Sequence, residues 1–283
     1  MQTGGGSAVR VKKDENMQQE AVDFEAECDA LHTLLEGLNE DQWRRETQFK
    51  RWTANDVLAH LHFFNYAADL ALQDSDAFSS LMQQMARTIK QGATHLTFTH
   101  AWLGGAKDRE LMGRWHDFYR EMARRFSTAD PKKRVPWAGP TMSVRSSITA
   151  RLMETWAHGH GLYDLFGQQR KETDRLRNIA VLGINTFSWT FSNRGLTVPP
   201  TMPYVRLNAP SGAVWEWGQP DGANFVDGSA LEFCQVVTQV RNIADTKLQL
   251  GGSVAARWMS IAQCFAGSPE EPPPPGSRFL QRA

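Results

Sequence analysis

The sequence predicts a mostly α protein, an up-down helical bundle followed by a small α+β domain. Three observations carry this. From about residue 17 to 194, apolar positions recur at three- and four-residue spacing. After Val198-Pro199-Pro200 that period gives way to short alternating segments bounded by turn residues. The composition supplies a core: of 283 residues, 41% are hydrophobic and 10 are Trp, which excludes a globally disordered chain.

Residues 1–16 hold Gly4-Gly5-Gly6-Ser7 and then mixed charges. No apolar run of a secretory signal follows, so a flexible leader is expected. The bundle is placed at 17–197. Phe24, Cys28, Leu31, Leu35 and Leu38 form one helix face. Thr53 followed by Asp56 reads as a capping box with Asp in place of Glu. It opens a helix with Val57, Leu61, Phe64 and Ala68 on one stripe. Further helical stretches fall at about 76–92 and 107–127. Another begins after Ser143 and ends near Gly167, a good residue just past a helix end. Asp174 is expected to cap a last long helix that Gly195 terminates.

The α+β domain is placed at 198–268, with its boundary near Leu196–Thr201. Tyr204–Leu207 and Val214–Trp217 read as strands, with Pro210-Ser211-Gly212 as turn chemistry between them. Ala230–Val237 fits helix or strand. Lys247–Leu250 reads as a short strand and Ala255–Ala266 as a closing helix. The tail, 269–283, contains Pro272–Pro275 and cannot be helix or central strand. An extended end is expected, an SH3-type ligand being the sharper alternative.

Charge and cysteine content narrow the function. Lys+Arg and Asp+Glu both number 31, so no global basic field exists to hold nucleic acid through its phosphates. No apolar run approaches the ~20 residues of a membrane helix. Cys28, Cys234 and Cys264 are odd in number and widely spaced, neither a disulfide framework nor a CxxC metal site. A soluble, reduced, cytoplasmic protein with no nucleic-acid or membrane partner is the simplest reading. A homodimer is left open.

Eight histidines are present. His60 shares the stripe of Val57 and Phe64 and should point into the bundle. Glu154 and His158 stand four apart, neighbours on one helix face. Ala150, Ala157, Gly161 and Leu165 make that face small and apolar. A carboxylate facing an apolar interior is costly unless paired or metal-bound. His60, Glu154 and His158 therefore form a candidate three-ligand metal site, with positions open for water or substrate. The blander alternatives are a solvated Glu–His pair and a satisfied core histidine. His62 and His160 are expected at the rim or surface, and His95, His100 and His116 show no ligand spacing.

Trp52-Thr53-Ala54-Asn55-Asp56-Val57-Leu58-Ala59-His60-Leu61 resembles the W-T-x-x-D-V-x-x-H-L segment of DinB-like metal-binding bundles. Arg151-Leu152-Met153-Glu154-Thr155-Trp156-Ala157-His158 resembles their second, E-x-x-x-H segment. The chain is most similar to the mycothiol-dependent maleylpyruvate isomerase-like branch. Within it, the likeness is to a subgroup whose C-terminal part carries a wyosine-formation label. Trp137-Ala138-Gly139-Pro140 and Leu231–Gln239 fit that subgroup too, and the likeness covers nearly all of 20–268.

The resemblance implies a DinB-like four-helix bundle whose His60, Glu154 and His158 hold one divalent metal, zinc first and nickel, manganese or iron next. It also implies a sterol-carrier-like C-terminal domain that closes over the metal and sends an arginine to the cleft. Arg241 best matches that arginine, as the catalytic candidate; a surface arginine is its bland alternative. His160-Gly161 departs from the branch's usual polar-acidic pair, while Asp164 survives three residues after Gly161. It is read either as orienting a ligand or as an ordinary helix salt bridge.

The first functional expectation is a metal-dependent, thiol-assisted isomerase or thiol transferase using a low-molecular-weight thiol from outside the chain. The alternatives are a metal-dependent hydrolase, for which no second inward carboxylate is evident, and a non-catalytic metal- or lipid-binding module. In the latter Trp215 and Trp217 would line a pocket rather than pack a core. The wyosine label finds no support in a radical-cofactor cysteine cluster or a basic stripe.

Overall fold

The computed structural model describes residues 16–281. The leader expected at 1–16 lies outside them, save that Asn16 already opens α1. Four long helices make the bundle: α1 (Asn16–Glu36), α2 (Ala54–Gln73), α5 (Asp108–Thr128) and α6 (Val144–Leu165). α1 packs on α5 and α6, and α2 on the same two. The predicted α1 face is buried, with Phe24, Cys28, Leu31, Leu35 and Leu38 all at most 4% exposed.

α3 (Ser75–Lys90) and α4 (His95–Trp102) project beside α2. They close a small separate cluster of Phe63, Met85 and Phe98. α4 was not expected, because its eight residues span too few turns to show a period. A two-stranded hairpin, β1 (Arg134–Trp137) and β2 (Gly139–Ser143), precedes α6 and was also unforeseen. Pro136 and Pro140 argue against strands in the sequence, yet a two-stranded ribbon consists only of edges, where proline is tolerated.

The expected last long helix is broken into α7 (Leu176–Asn185) and α8 (Phe187–Ser192). At the break the Thr186 hydroxyl donates back to the carbonyls of Leu182 and Gly183, a bond that competes with helix continuation. Asp174 does not cap α7. Its carboxylate accepts instead from the amide and hydroxyl of Ser211.

An extended stretch follows, and then a four-stranded sheet in the order β4-β3-β5-β6. β3 (Tyr204–Asn208) pairs antiparallel with β4 (Val214–Trp217), Leu207 facing Trp215. β5 (Phe225–Ser229), not foreseen, runs parallel to β3, and β6 (Gln249–Gly251) pairs with β5. α9 (Ala230–Val237) settles the open segment as helix, and α10 (Gly252–Ile261) closes the unit. Trp215 and Trp258 lie in the core, and Trp217 packs against it. One apolar cluster runs unbroken from α1 through α6 and α7 into α9 and α10. No described helix is long and apolar enough to cross a membrane.

Residues 269–281 form neither helix nor strand, with a turn at 275–278, and they are docked. The Asn242 side chain donates to the Pro273 carbonyl, and the Gly276 amide to Asp245. Arg278 donates to the Gln239 carbonyl, the Phe279 amide to Gln48, and the Gln281 amide to the Asp164 carbonyl. The strap thus runs from the α+β unit to the C-terminal turn of α6.

Candidate metal centre

α2 begins with the capping box read in the sequence. The Thr53 hydroxyl accepts from the Asp56 amide at 3.3 Å, and Asp56 accepts from the Thr53 amide at 2.8 Å. His100 on α4 contacts the other Asp56 oxygen at 2.7 Å. This fixes the first turn, and His60 stands one turn further on. α6 is capped by Ser143, whose hydroxyl accepts from the Ser146 amide. Glu154 and His158 lie near its middle, facing α2.

The three residues singled out in the sequence converge. Nε2 of His60 and Nε2 of His158 each lie 3.1 Å from the same oxygen of Glu154, Oε2. One donor atom from each lies within 4.8 Å of the others. Side-chain exposures of 18%, 20% and 13% for His60, Glu154 and His158 leave the cluster largely buried but still reached by solvent. Two nitrogens and one oxygen, about 2.0–2.2 Å from a shared ion, fit zinc and its first-row neighbours.

Electrostatics prepare the same set. Burial, aided by repulsion from His158, lowers the His60 imidazole to about 4 despite its bond to Glu154. Burial alone would raise Glu154, but the hydrogen bonds to His158 and His60 outweigh it and hold the carboxyl well below its usual range. A neutral imidazole beside an ionised carboxylate can take a cation with no net loss of a proton, the Nε2 hydrogen passing to Nδ1.

An aromatic wall lines the cluster. Trp52 stacks on His158 at 5.3 Å and 14°, and lies 5.4 Å from His60. Phe49 meets His158 edge-on at 5.1 Å, and Phe64 packs on His60 at 4.8 Å. Phe49 and Trp52 are held in place by a loop in which Lys50 and Arg51 both take left-handed backbone, φ 49° and 59°. Such conformations in non-glycine residues are costly and tend to mark functional sites.

Arg241 is not brought into the cluster. It follows α9, is largely buried rather than at the surface, and its Nη2 donates to Asp164 Oδ1 at 2.7 Å. Asp164 thus pairs with Arg241 across the two units rather than with a candidate ligand. His62 and His160 are buried, against the expectation of rim positions. His62 sits between Trp102 and Phe118, and His160 beside Trp156 and Gln235. The two-residue step does turn them away from the cluster, but α2 and α6 are covered on both faces.

Sequence reasoning missed the Phe49 wall and the strap residue Arg278, whose guanidinium lies 5.0 Å from the Phe49 ring. It also placed no cysteine near the site. Cys264 is buried, and burial first, then the Glu154 carboxylate, push its thiol up. Cys28 and Cys234 are likewise buried and pushed up by burial. No described thiol is poised as a nucleophile.

A family model described as the mycothiol maleylpyruvate isomerase N-terminal domain matches residues 24–163. The crystal structure of the mycothiol-dependent maleylpyruvate isomerase superposes with a TM-score of 0.52 at 14% identity, over 79% of this chain and 89% of that one. A histidine-to-alanine variant of it gives 0.51 at 13% over the same shares. The chain belongs to the DinB-like, mycothiol-dependent maleylpyruvate isomerase-like family. The isomerase-like fold, a helical bundle with a small sheet unit, is therefore shared despite the low identity. Two uncharacterized proteins from strains of Mycobacterium tuberculosis are each 37% identical over 253 residues, 88% of this chain and 95% of theirs. The family match begins within α1 and ends within α6, so it takes in all three converging residues.

Proposed function

We propose that the protein is a metal-dependent enzyme acting on a small organic substrate, a thiol-assisted isomerase or thiol transferase of the maleylpyruvate isomerase type. The observation that carries this reading is the meeting of His60, Glu154 and His158 on one carboxylate oxygen. His60 and His158 would hold a divalent ion, zinc first, through Nε2, and Glu154 would hold it through Oε2. When bound, the ion supplies Lewis acidity and brings the pKa of an incoming thiol toward neutrality.

Trp52 and Phe49 pack against the His158 ring and Phe64 against the His60 ring, keeping water from those ring faces. The three buried cysteines leave the thiol to come from outside. Its thiolate adds to a conjugated double bond and leaves a single bond free to rotate. Expulsion of the same thiolate restores the double bond in the other geometry, so the thiol is returned unchanged. A hydrolase needs a free base. Asp56 on α2 is tied into its cap and to His100, and Asp164 on α6 to Arg241. Arg241 keeps a catalytic role only if a substrate carboxylate draws its planar fork from Asp164.

Metal analysis of purified protein with His60→Ala and Glu154→Ala tests the ligand set. Occupancy near one ion per chain should fall at least tenfold in both variants, and full occupancy in both overturns the assignment. Incubation with a panel of low-molecular-weight thiols and cis-unsaturated diacids tests the reaction. Turnover that requires both thiol and metal supports it, and metal-dependent turnover without thiol overturns it.

A further inference from the structure

Arg151 is 2% exposed and lies on α6, one turn before Glu154. Its Nε donates to Oδ1 of Asn65 at 2.9 Å. Asn65 is fully buried on α2, just beyond His60. Among the described residues the guanidinium has no carboxylate within 4.0 Å, and its Nη2 and the Asn65 Nδ2 find no acceptor. A fully buried arginine with only a neutral amide partner is unusual, because buried charges are ordinarily paired. Arg170, whose side chain is 6% exposed, is by contrast paired with Glu27 and Glu172.

Arg151 reaches the candidate centre through Phe64. Its guanidinium carbon is 6.0 Å from the Phe64 ring, and that ring packs 4.8 Å from His60. Its charge is felt there. On His60, Arg151 adds to the lowering by burial and by His158, and the Glu154 carboxylate opposes the lowering that burial imposes on Arg151.

The charge count is simple. A divalent ion, the Glu154 carboxylate and the Arg151 guanidinium sum to two net positive charges in a water-poor interior, since metal-bound imidazoles are neutral. Such an excess is costly unless an anion joins it. We propose that Arg151 is a positioning residue that makes the centre selective for an anionic exogenous ligand, the thiolate being the one the proposed reaction brings. This rests on the metal reading of the site and specifies which ligands the open position accepts.

The test uses the full chain loaded with cobalt(II), whose visible spectrum reports ligand exchange. It compares Arg151→Met and Asn65→Asp, the second leaving Arg151 in place but giving it a carboxylate. Azide is the anionic probe and imidazole the neutral one. Azide affinity should fall about tenfold in both variants, as expected for loss of one nearby charge at an effective dielectric of about 20. Imidazole affinity should stay within about twofold, and cobalt affinity should be unchanged or higher. Azide and imidazole weakened alike, or azide unchanged, overturns the inference while leaving the metal centre intact. A cobalt spectrum that never forms in the unmodified chain overturns the metal reading and this inference with it. If Arg151→Met does not fold, Asn65→Asp alone decides.

Discussion

Asp56 shows how one side chain supports the site from a distance. Its carboxylate accepts from the Thr53 amide and hydroxyl and contacts His100. Burial would raise its pKa, but His100 and the Thr53 donors outweigh burial and leave it lowered. A lowered carboxylate stabilises the fold fully above its unfolded pKa of about 3.9, and the contribution is lost as pH falls through the lower folded value. Asp56→Ala should therefore cost about 1 kcal/mol at pH 7 through loss of the cap. The gap between the urea midpoints of variant and parent should narrow only below about pH 4. A gap that is constant from pH 7 to pH 3 would show that the ionised carboxylate is not what matters.

Elements differ in how far their sequence announces them. α1, α2, α5 and α6 were legible because long apolar stripes repeat along them, and the same periodicity brought His60, Glu154 and His158 face to face. The wall residues Phe49 and Trp52 were not legible as such, since nothing in a non-glycine loop encodes left-handed backbone at Lys50 and Arg51. β5 was hidden by Asp227 and Gly228, which lower strand propensity; β3 pairs with both, and β6 pairs with Asp227. Arg241 was placed by likeness alone, and only the fold shows that Asp164 already occupies it.

The contact of α7 with α9 depends on one small residue. A Cβ on Gly183 would lie 2.9 Å from Val237 Cγ2 and 3.1 Å from Phe233 Cε1. Gly183→Ala gains about 1 kcal/mol of helix propensity. The stiff Val237 and the buried Phe233 cannot yield cheaply, and overpacking costs about 1–3 kcal/mol. Net destabilisation of about 1 kcal/mol is expected in urea unfolding, and a variant as stable as its parent would mean that the helices separate freely.

At the scale of the whole molecule, the bundle holds the candidate centre, the α+β unit packs against it through a shared core, and the tail ties the two. The strap contacts Gln48, in the loop that carries Phe49 and Trp52, and Asp164 at the end of α6. Arg278 lies over Phe49, and Phe49 touches His158. Phe279 and Leu280 are 53% and 47% exposed, so the strap buries little apolar surface and holds mainly by hydrogen bonds. Each is worth about 1 kcal/mol net. The Lys50–Glu270 pair is exposed and adds little. Ending the chain after Glu271 removes five such hydrogen bonds and should therefore cost at most about 5 kcal/mol, less the entropy regained by the freed tail, and leave the bundle folded. Backbone amide protection should fall locally, across residues 48–52 and around Gln239, with α1 and α5 unchanged in hydrogen exchange. The wall of the centre would then loosen without loss of its three donors, so metal affinity should hold while bound ligand exchanges faster. Protection at 48–52 that matches the full-length protein would show that the wall is held by the bundle alone and the strap is a passenger.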